Sequence, residues 1–409
     1  MKTVSIALLA GIIGCAFVQP GLAASAAKYT EKVVWSFGNG MDGQAPDAGL
    51  IAVRGTLYGT TEAGGGGISG RGTVFALDPS TGDETVLYSF CSQLSCTDGA
   101  LPEAGLITVN GMLYGTTVVG GADDRGTVFS LDPSTGSETV VYSFCSQQNC
   151  ADGEMPEAGL IEVEGTLYGT AYADAVFALD PNTGAETVLY SFCSQMFCTD
   201  GAGPVAGVID VKGILYGTTS LGGANTGGCN EEGCGEVFSV NPNTGAETVL
   251  HSFGSGADGQ NPLAGLIDVN GTFYGTTSTG GGTRCNCGTV FSLDPKTGAE
   301  KVIYAFLGGK DGANPYAGLI DVKGTLYGTT YTGGGTGCKN VGTGCGTVFS
   351  IDPKTGAEKV LYSFCSQQNC TDGATPEAGL VDVSGTLYGT TNGGGSSGHG
   401  TVFALTKKP

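Results

Sequence analysis

Four short phrases recur seven times each along this chain, always in the same order, and that repetition limits the possible folds more than any other feature. The first is Ala-Gly-Leu-Ile or a near variant, starting at Ala48, Ala104, Ala158, Ala206, Ala264, Ala317 and Ala378. The second, Leu-Tyr-Gly-Thr, starts at Leu57, Leu113, Leu167, Leu215, Leu326 and Leu387, with Phe273 in place of leucine in the fifth copy. The third, Gly-Thr-Val-Phe, ends at Phe75, Phe129, Phe177, Phe238, Phe291, Phe349 and Phe403; the fourth, Val-Leu-Tyr-Ser-Phe, ends at Phe37, Phe90, Phe144, Phe192, Phe253, Phe306 and Phe364. Each phrase is about six residues long, β-branched and aromatic, and bounded by Gly, Pro, Asp or Asn, which predicts a strand. Glycines such as Gly55 and Gly111 predict a tight turn between the first two strands, and Asp78-Pro79-Ser80-Thr81-Gly82 predicts one between the third and fourth. The interior strands are apolar on both sides, as expected of a sheet sandwiched between neighbours. A four-stranded antiparallel sheet repeated radially is a propeller blade.

The last repeat stops after its third phrase, and the missing fourth stands at the other end of the chain as Val33-Val34-Trp35-Ser36-Phe37. Joining the two in one blade closes a ring and leaves no open sheet at the seam. An open solenoid would need polar terminal caps, and none is visible. The expected fold is therefore an all-β, seven-bladed β-propeller forming one domain over residues 27–409.

Composition narrows the partners. Charged residues make up 13% of the chain and the formal net charge is −21, so the surface repels phosphate backbones and excludes nucleic acid as a partner. After the first thirty positions no run of eighteen apolar residues occurs, so no transmembrane segment is expected. Residues 1–26 read as an export signal: Lys2, an apolar stretch from Val4 to Val18, then Ala24, Ser25 and Ala26 before a cut at Ala27. A competing reading takes Ile12-Ile13-Gly14-Cys15 as a lipobox that would tether the protein through Cys15. Either way the protein is expected outside the cytoplasm, secreted or periplasmic, and the fourteen other cysteines form an even set, as suits an oxidising compartment.

Strand order assigns each connection to a face. First-to-second and third-to-fourth turns are short and uniform; second-to-third loops and the linkers between blades share the opposite, variable face. All fourteen cysteines fall there. Four pairs lie in linkers: Cys91 with Cys96, Cys145 with Cys150, Cys193 with Cys198, Cys365 with Cys370. Three lie within blades: Cys229 with Cys234, Cys285 with Cys287, Cys338 with Cys345. Local disulfides that stiffen loops are the simplest reading. Zinc would need four ligands and reduced thiols, so no metal is expected. Cys285 and Cys287, one residue apart, leave open a redox role or pairing with a neighbouring loop.

Every linker also carries Asp-Gly followed by Pro, at Asp42, Asp98, Asp152, Asp200, Asp258, Asp311 and Asp372. These carboxylates read either as acceptors within their own turns or as a ring near the channel mouth that attracts cations, and with His399 they are the loop-face binding candidates. In the third blade Ala171-Tyr172-Ala173-Asp174-Ala175 replaces a long glycine-rich loop, which predicts a notch. Catalytic groups are sparse: His251 stands at a strand tyrosine position, His399 is alone in a loop, and no nucleophile elbow, His-pair metal motif or phosphate-cradling loop occurs.

The phrases Leu-Tyr-Gly-Thr-Thr, Gly-Thr-Val-Phe and Asp-Pro-x-Thr-Gly-x-Glu resemble those of the GloVer tandem-repeat family of exported bacterial proteins, over nearly the whole mature chain. The resemblance implies a secreted repeat protein and carries no catalytic residues or cofactor to transfer; the ending at Lys408-Pro409 departs from members that bear a C-terminal sorting segment. The expected function is a non-enzymatic binding or scaffolding propeller, monomeric, that presents its disulfide-stiffened face to a glycan, a cell-envelope component or a protein. The alternative is an extracellular polysaccharide lyase or hydrolase that uses His399 with Asp174 or Asp124.

Overall fold

The computed structural model describes residues 29–38, 40–225, 229, 233–254, 257–282, 285–335 and 344–408; the export signal and Cys15 lie outside them. Among these residues 28 strands form seven antiparallel four-stranded sheets. Blade 1 runs Ile51–Val53, Thr56–Thr61, Thr73–Leu77 and Glu84–Ser89, and blades 2 to 6 repeat it in chain order. Blade 7 takes Val381–Val383, Thr386–Thr391 and Thr401–Lys407 from the C-terminal end and completes itself with Tyr29–Ser36. In that closure Val33 pairs with Phe403 and Trp35 with Val402. The seven-bladed ring expected from the repeats is the ring observed. One detail differs: the innermost strand is only three residues long, and the Ala-Gly-Leu of the first phrase precedes it outside any strand, with a bend at the alanine.

The turns follow from their residues. Arg54 and Gly55 both have positive φ, 51° and 93°, as do Asn110 and Gly111, 52° and 87°. Two successive left-handed residues make a type I′ hairpin, whose twist matches that of the strands it joins. In the third-to-fourth turn Asp78 Oδ1 accepts the Ser80 amide at 2.8 Å, and Gly82 (φ 82°) donates its amide to the Asp78 carbonyl.

Blades hold together through three contacts repeated at every seam. The first threonine after Leu-Tyr-Gly donates its hydroxyl to the carbonyl of the next blade's first-phrase alanine, from Thr60 to Ala104 through Thr329 to Ala378, at 3.0–3.1 Å. Thr390 to Ala48 closes the circuit between blades 7 and 1. The fourth-strand phenylalanine of one blade meets the third-strand phenylalanine of the next edge to face, with ring centroids 4.7–5.3 Å apart, a favoured aromatic geometry. Near the axis the first-phrase glycines pack against one another: a Cβ built on Gly207 would stand 2.8 Å from the Gly159 carbonyl oxygen, and the other six such distances are 3.1–3.7 Å. The glycine of Leu-Tyr-Gly-Thr has its own reason. Gly169 lies opposite Phe177 in the ladder, and a methyl there would come within 2.5 Å of the ring.

Because each threonine hydroxyl satisfies a buried carbonyl, Thr390→Val should leave the Ala48 oxygen unpaired at the closing seam and cost about 1–3 kcal/mol. The urea unfolding midpoint measures this, and an unchanged midpoint would contradict the role given to the contact.

Candidate functional site

The two faces differ as their loops foretold. Short hairpins cover one, and the other carries the second-to-third loops and the linkers, knitted by isolated bridges such as Gln44 with Ala63 and Ala100 with Val119. Five of the expected disulfides are present there, and Cys285 and Cys287, whose pairing the sequence left open, bond to each other. Cys338 lies outside the described residues, and with it the expected bridge to Cys345. In blade 6 the sulfurs of Cys345, Cys365 and Cys370 gather within 4.8 Å of one another. Four linkers, those with paired cysteines, wind into a short 3-10 turn, as at Leu94–Cys96.

The seven linker aspartates sit beside the outermost strands, in the seams, rather than around the axis. Asp98, Asp152, Asp200 and Asp372 are fully buried. Asp98 Oδ2 accepts Tyr88 OH at 2.8 Å together with the Ser92 amide and hydroxyl, and Oδ1 accepts the Gln93 amide. The same set recurs at Asp152, Asp200 and Asp372, while Asp311 accepts Tyr304 OH at 3.0 Å and Asp42 the Gly38 amide. His251 stands at the tyrosine place in blade 4: it packs edge to face on Phe253 and places Nε2 3.2 Å from Asp258 Oδ2. Trp35 takes that place in blade 7. Burial raises Asp152 and Asp200, but the hydrogen bonds from tyrosine, serine and backbone outweigh it and leave both below the ordinary carboxylate value.

Facing each aspartate across the seam is the fourth-strand glutamate of the next blade. Burial, and then the negative aspartate nearby, push Glu31, Glu84, Glu138, Glu186, Glu247 and Glu358 up to about 7. Glu300 also rises to about 7 through burial, although His251 opposes it. Each leaves its Oε1 buried without a hydrogen bond.

The catalytic candidates do not assemble. Asp124 accepts the Gly120 amide of its own loop, and Asp174, at the tip of the shortened blade 3 loop, accepts the Gly203 amide of blade 4 at 2.7 Å. His399 belongs to blade 7, where its carbonyl takes the Ala45 amide. No hydrogen bond among the described residues links its imidazole to either aspartate.

The residues that do converge were not singled out by sequence. The position after each linker proline is Asp47, Glu103, Glu157, Val205, Leu263, Tyr316 and Glu377 in blades 1 to 7. Their electrostatic coupling passes between blades that are not neighbours: Glu103 of blade 2 feels Glu377 of blade 7, and Tyr331 of blade 6 feels Asp47 of blade 1. Such pairs meet only across the axis. Burial first, then neighbouring carboxylates, pushes Glu103 up to about 7 and Asp47 up to about 8 and raises Glu377. Tyr316 and Tyr331 stack at 4.9 Å with planes 19° apart, and Glu377 acts on both. The mouth of the ring is thus acidic on one side, from Glu377 through Glu157, and apolar or aromatic on the other, from Val205 to Tyr316. The available signal was a variable position flanked by invariant ones, since a residue free to change inside a rigid repeat is not needed for packing.

One buried acid departs from the repeat. In five blades a buried threonine pair, such as Thr61 with Thr73 at 2.9 Å, joins the second and third strands. Blade 3 has Ala171 and Ala175 there, whereas blade 4 has Thr219 and Glu236. Glu236 is fully buried, neither carboxyl oxygen has a hydrogen bond, and burial, then Glu247 and Asp200, push it up to about 9.

Two predictions follow from these acids. A carboxyl whose value rises on folding stabilises the fold fully below its unfolded value of 4.5 and loses that contribution as pH climbs through about 7. The melting temperature should therefore fall between pH 5 and pH 8; Asp152 and Asp200 act oppositely, but only near and below 3.8. A melting temperature that rises over that interval would refute the assignment. Separately, Glu236→Thr should restore the threonine pair and stabilise the protein at pH 8 by at least about 1 kcal/mol, read from the urea midpoint; a loss of stability would show that the carboxyl is held by something else.

Similar proteins agree with this architecture. The extracellular domain of the putative hybrid two-component system BT4673 from B. thetaiotaomicron superposes with a TM-score of 0.58 at 10% identity, over 92% of this chain and 39% of that one. The corresponding domain of BT3049 gives 0.56 at 13%, over 90% and 40%. The computationally designed Ika8 protein gives 0.51 at 15%, over 90% and 98%. At such identities the likeness is one of fold. No curated protein sequence matches the chain. The model of the Gloeobacter/Verrucomicrobia repeat matches residues 22–175 and 173–403, nearly the whole of the repeats described above, and the chain belongs to that repeat family.

Proposed function

We propose that this protein is a non-enzymatic binding propeller of the cell exterior, acting as a single copy, which holds a glycan, a cell-envelope polymer or a protein against its loop face. The observation that carries this reading is the mouth of the ring. Packing accounts for the invariant residues around it, whereas acids on one side and Val205, Leu263 and the stacked Tyr316 and Tyr331 on the other are not needed to hold the blades. A rigid concave opening that combines a few polar groups with apolar walls is the usual form of a ligand site. Carboxylates held near neutrality can both donate and accept hydrogen bonds, and a stacked tyrosine pair offers a flat apolar surface to a sugar ring or an aliphatic chain. The disulfides support an oxidising location and cut the entropy lost when loops are ordered by a partner. No helix among the described residues is long and apolar enough to cross a membrane.

Purified protein should retain members of an oligosaccharide array or of a panel of cell-envelope polymers, and the double change Glu103→Gln with Tyr331→Ala should weaken that retention at least about tenfold, equivalent to about 1.4 kcal/mol. Retention indifferent to both changes, or no retention by any member of either panel, would overturn the assignment of the mouth.

A further inference from the structure

A second site lies off the axis, at the outer seam between blades 5 and 6. Its origin is a shortened linker. Asp98 follows Phe90 by eight residues, whereas Asp311 follows Phe306 by five. In the longer linkers the added residues roof the seam: Ser92 Oγ meets Tyr88 OH at 2.9 Å, and Gln147 Nε2 lies 3.4 Å from Glu186 Oε2. The blade 5–6 linker has neither residue, and a cavity of about 670 Å³ opens in their place, bounded by Lys310, Asp311, Glu358, Val360, Ser363 and Phe364. That volume falls within the range of small-molecule sites. The short linker alone does not open it. Before blade 1, Met41 occupies the position of Lys310 and lies over Gly66.

Around this cavity three polar atoms, the Lys310 ammonium, the Ser363 hydroxyl and Glu358 Oε1, have no hydrogen bond or ion pair among the described residues. Lys310 makes no ion pair among the described residues. Ser36, Ser89, Ser143 and Ser252 each accept a loop amide through the hydroxyl, whereas the equivalent Ser363 has no such bond. Glu358 Oε1 is buried without a hydrogen bond among the described residues, as at every seam, and here a cavity of about 670 Å³ meets it beside the Lys310 ammonium and the Ser363 hydroxyl. Asp311, by contrast, is engaged by the Leu307 and Gly309 amides and Tyr304 OH.

We infer that this cavity binds a neutral hydroxylated ligand, one or two sugar units in size. Lys310 can only donate, whereas Ser363 and Glu358, a carboxyl held near 7 and so present in both forms, can each donate or accept; hydroxyl groups satisfy all three at once. A carboxylate or phosphate would answer Lys310 but meet Asp311 and Glu358, whose like charges oppose it. Val360 and Phe364 supply the apolar floor for the C–H face of a sugar ring. The inference rests on the proposal that the loop face meets ligands, but its residues lie away from the axial mouth, so the two can fail separately.

Calorimetric titration with glucose, galactose, N-acetylglucosamine and their β-linked disaccharides tests it, with glucuronate and inorganic phosphate as the anionic arms. Binding of at least one neutral sugar is expected, weakened about tenfold or more by K310M and by S363A and unchanged by S143A at the roofed seam of blade 2; melting curves verify that each variant is folded. Heat from the anions alone, neutral-sugar binding insensitive to both K310M and S363A, or no heat from any neutral sugar would each overturn the site, whatever the array reports for the mouth.

Discussion

The hydroxyl of one threonine per blade, bonded to a carbonyl of the next, is the contact on which the rest of this ring depends. It sets the distance between successive innermost segments, and with that distance set the facing glycines lie close: a methyl on Gly207 would run into the Gly159 carbonyl oxygen, and one on Gly105 or Gly265 would crowd its neighbour. The edge-to-face phenylalanines then fill the space farther out, and the second-strand glycine yields room for the third-strand ring. Each element of the repeat thus answers a packing demand created by another, which is why four phrases recur together rather than separately.

Because the seams are identical, departures from the repeat stand out as physical events. Paired alanines in blade 3 replace paired threonines without leaving a lone hydroxyl, a compensated exchange. Glu236 in blade 4 is uncompensated and carries a protonated carboxyl into the core. The linker of blades 5 and 6 lacks the turn that roofs four other seams, and it carries Lys310 where the equally short linker before blade 1 has Met41. Acidity distributed through the outer seams and the mouth gives the whole protein a stability that favours mildly acidic conditions, since glutamates held near 7 must lose their protons as pH rises.

The blade, the number of blades and the way they close were all legible in the sequence, because strand, turn and seam chemistry are local or repeat at fixed spacing: Arg54-Gly55 can turn only one way, and the strand around Trp35 can be placed only beside the one around Phe403. Five local cysteine pairs were legible as well, since their short loops leave few other partners, whereas Cys285 and Cys287 were joined only by the structure. Where residues from different blades meet became visible only in the folded ring. The linker aspartates gave two readings in sequence, since Asp98 next to Gly99 suits both a turn and a rim, and burial beside Tyr88 puts them in the seams. Asp47, Glu103 and Glu377 are separated by dozens to hundreds of residues and become neighbours only when the ring closes, so no spacing rule could have joined them. The cavity beside Lys310 is a matter of volume, the space left by residues that a linker lacks, and volume is a property of the packed molecule alone.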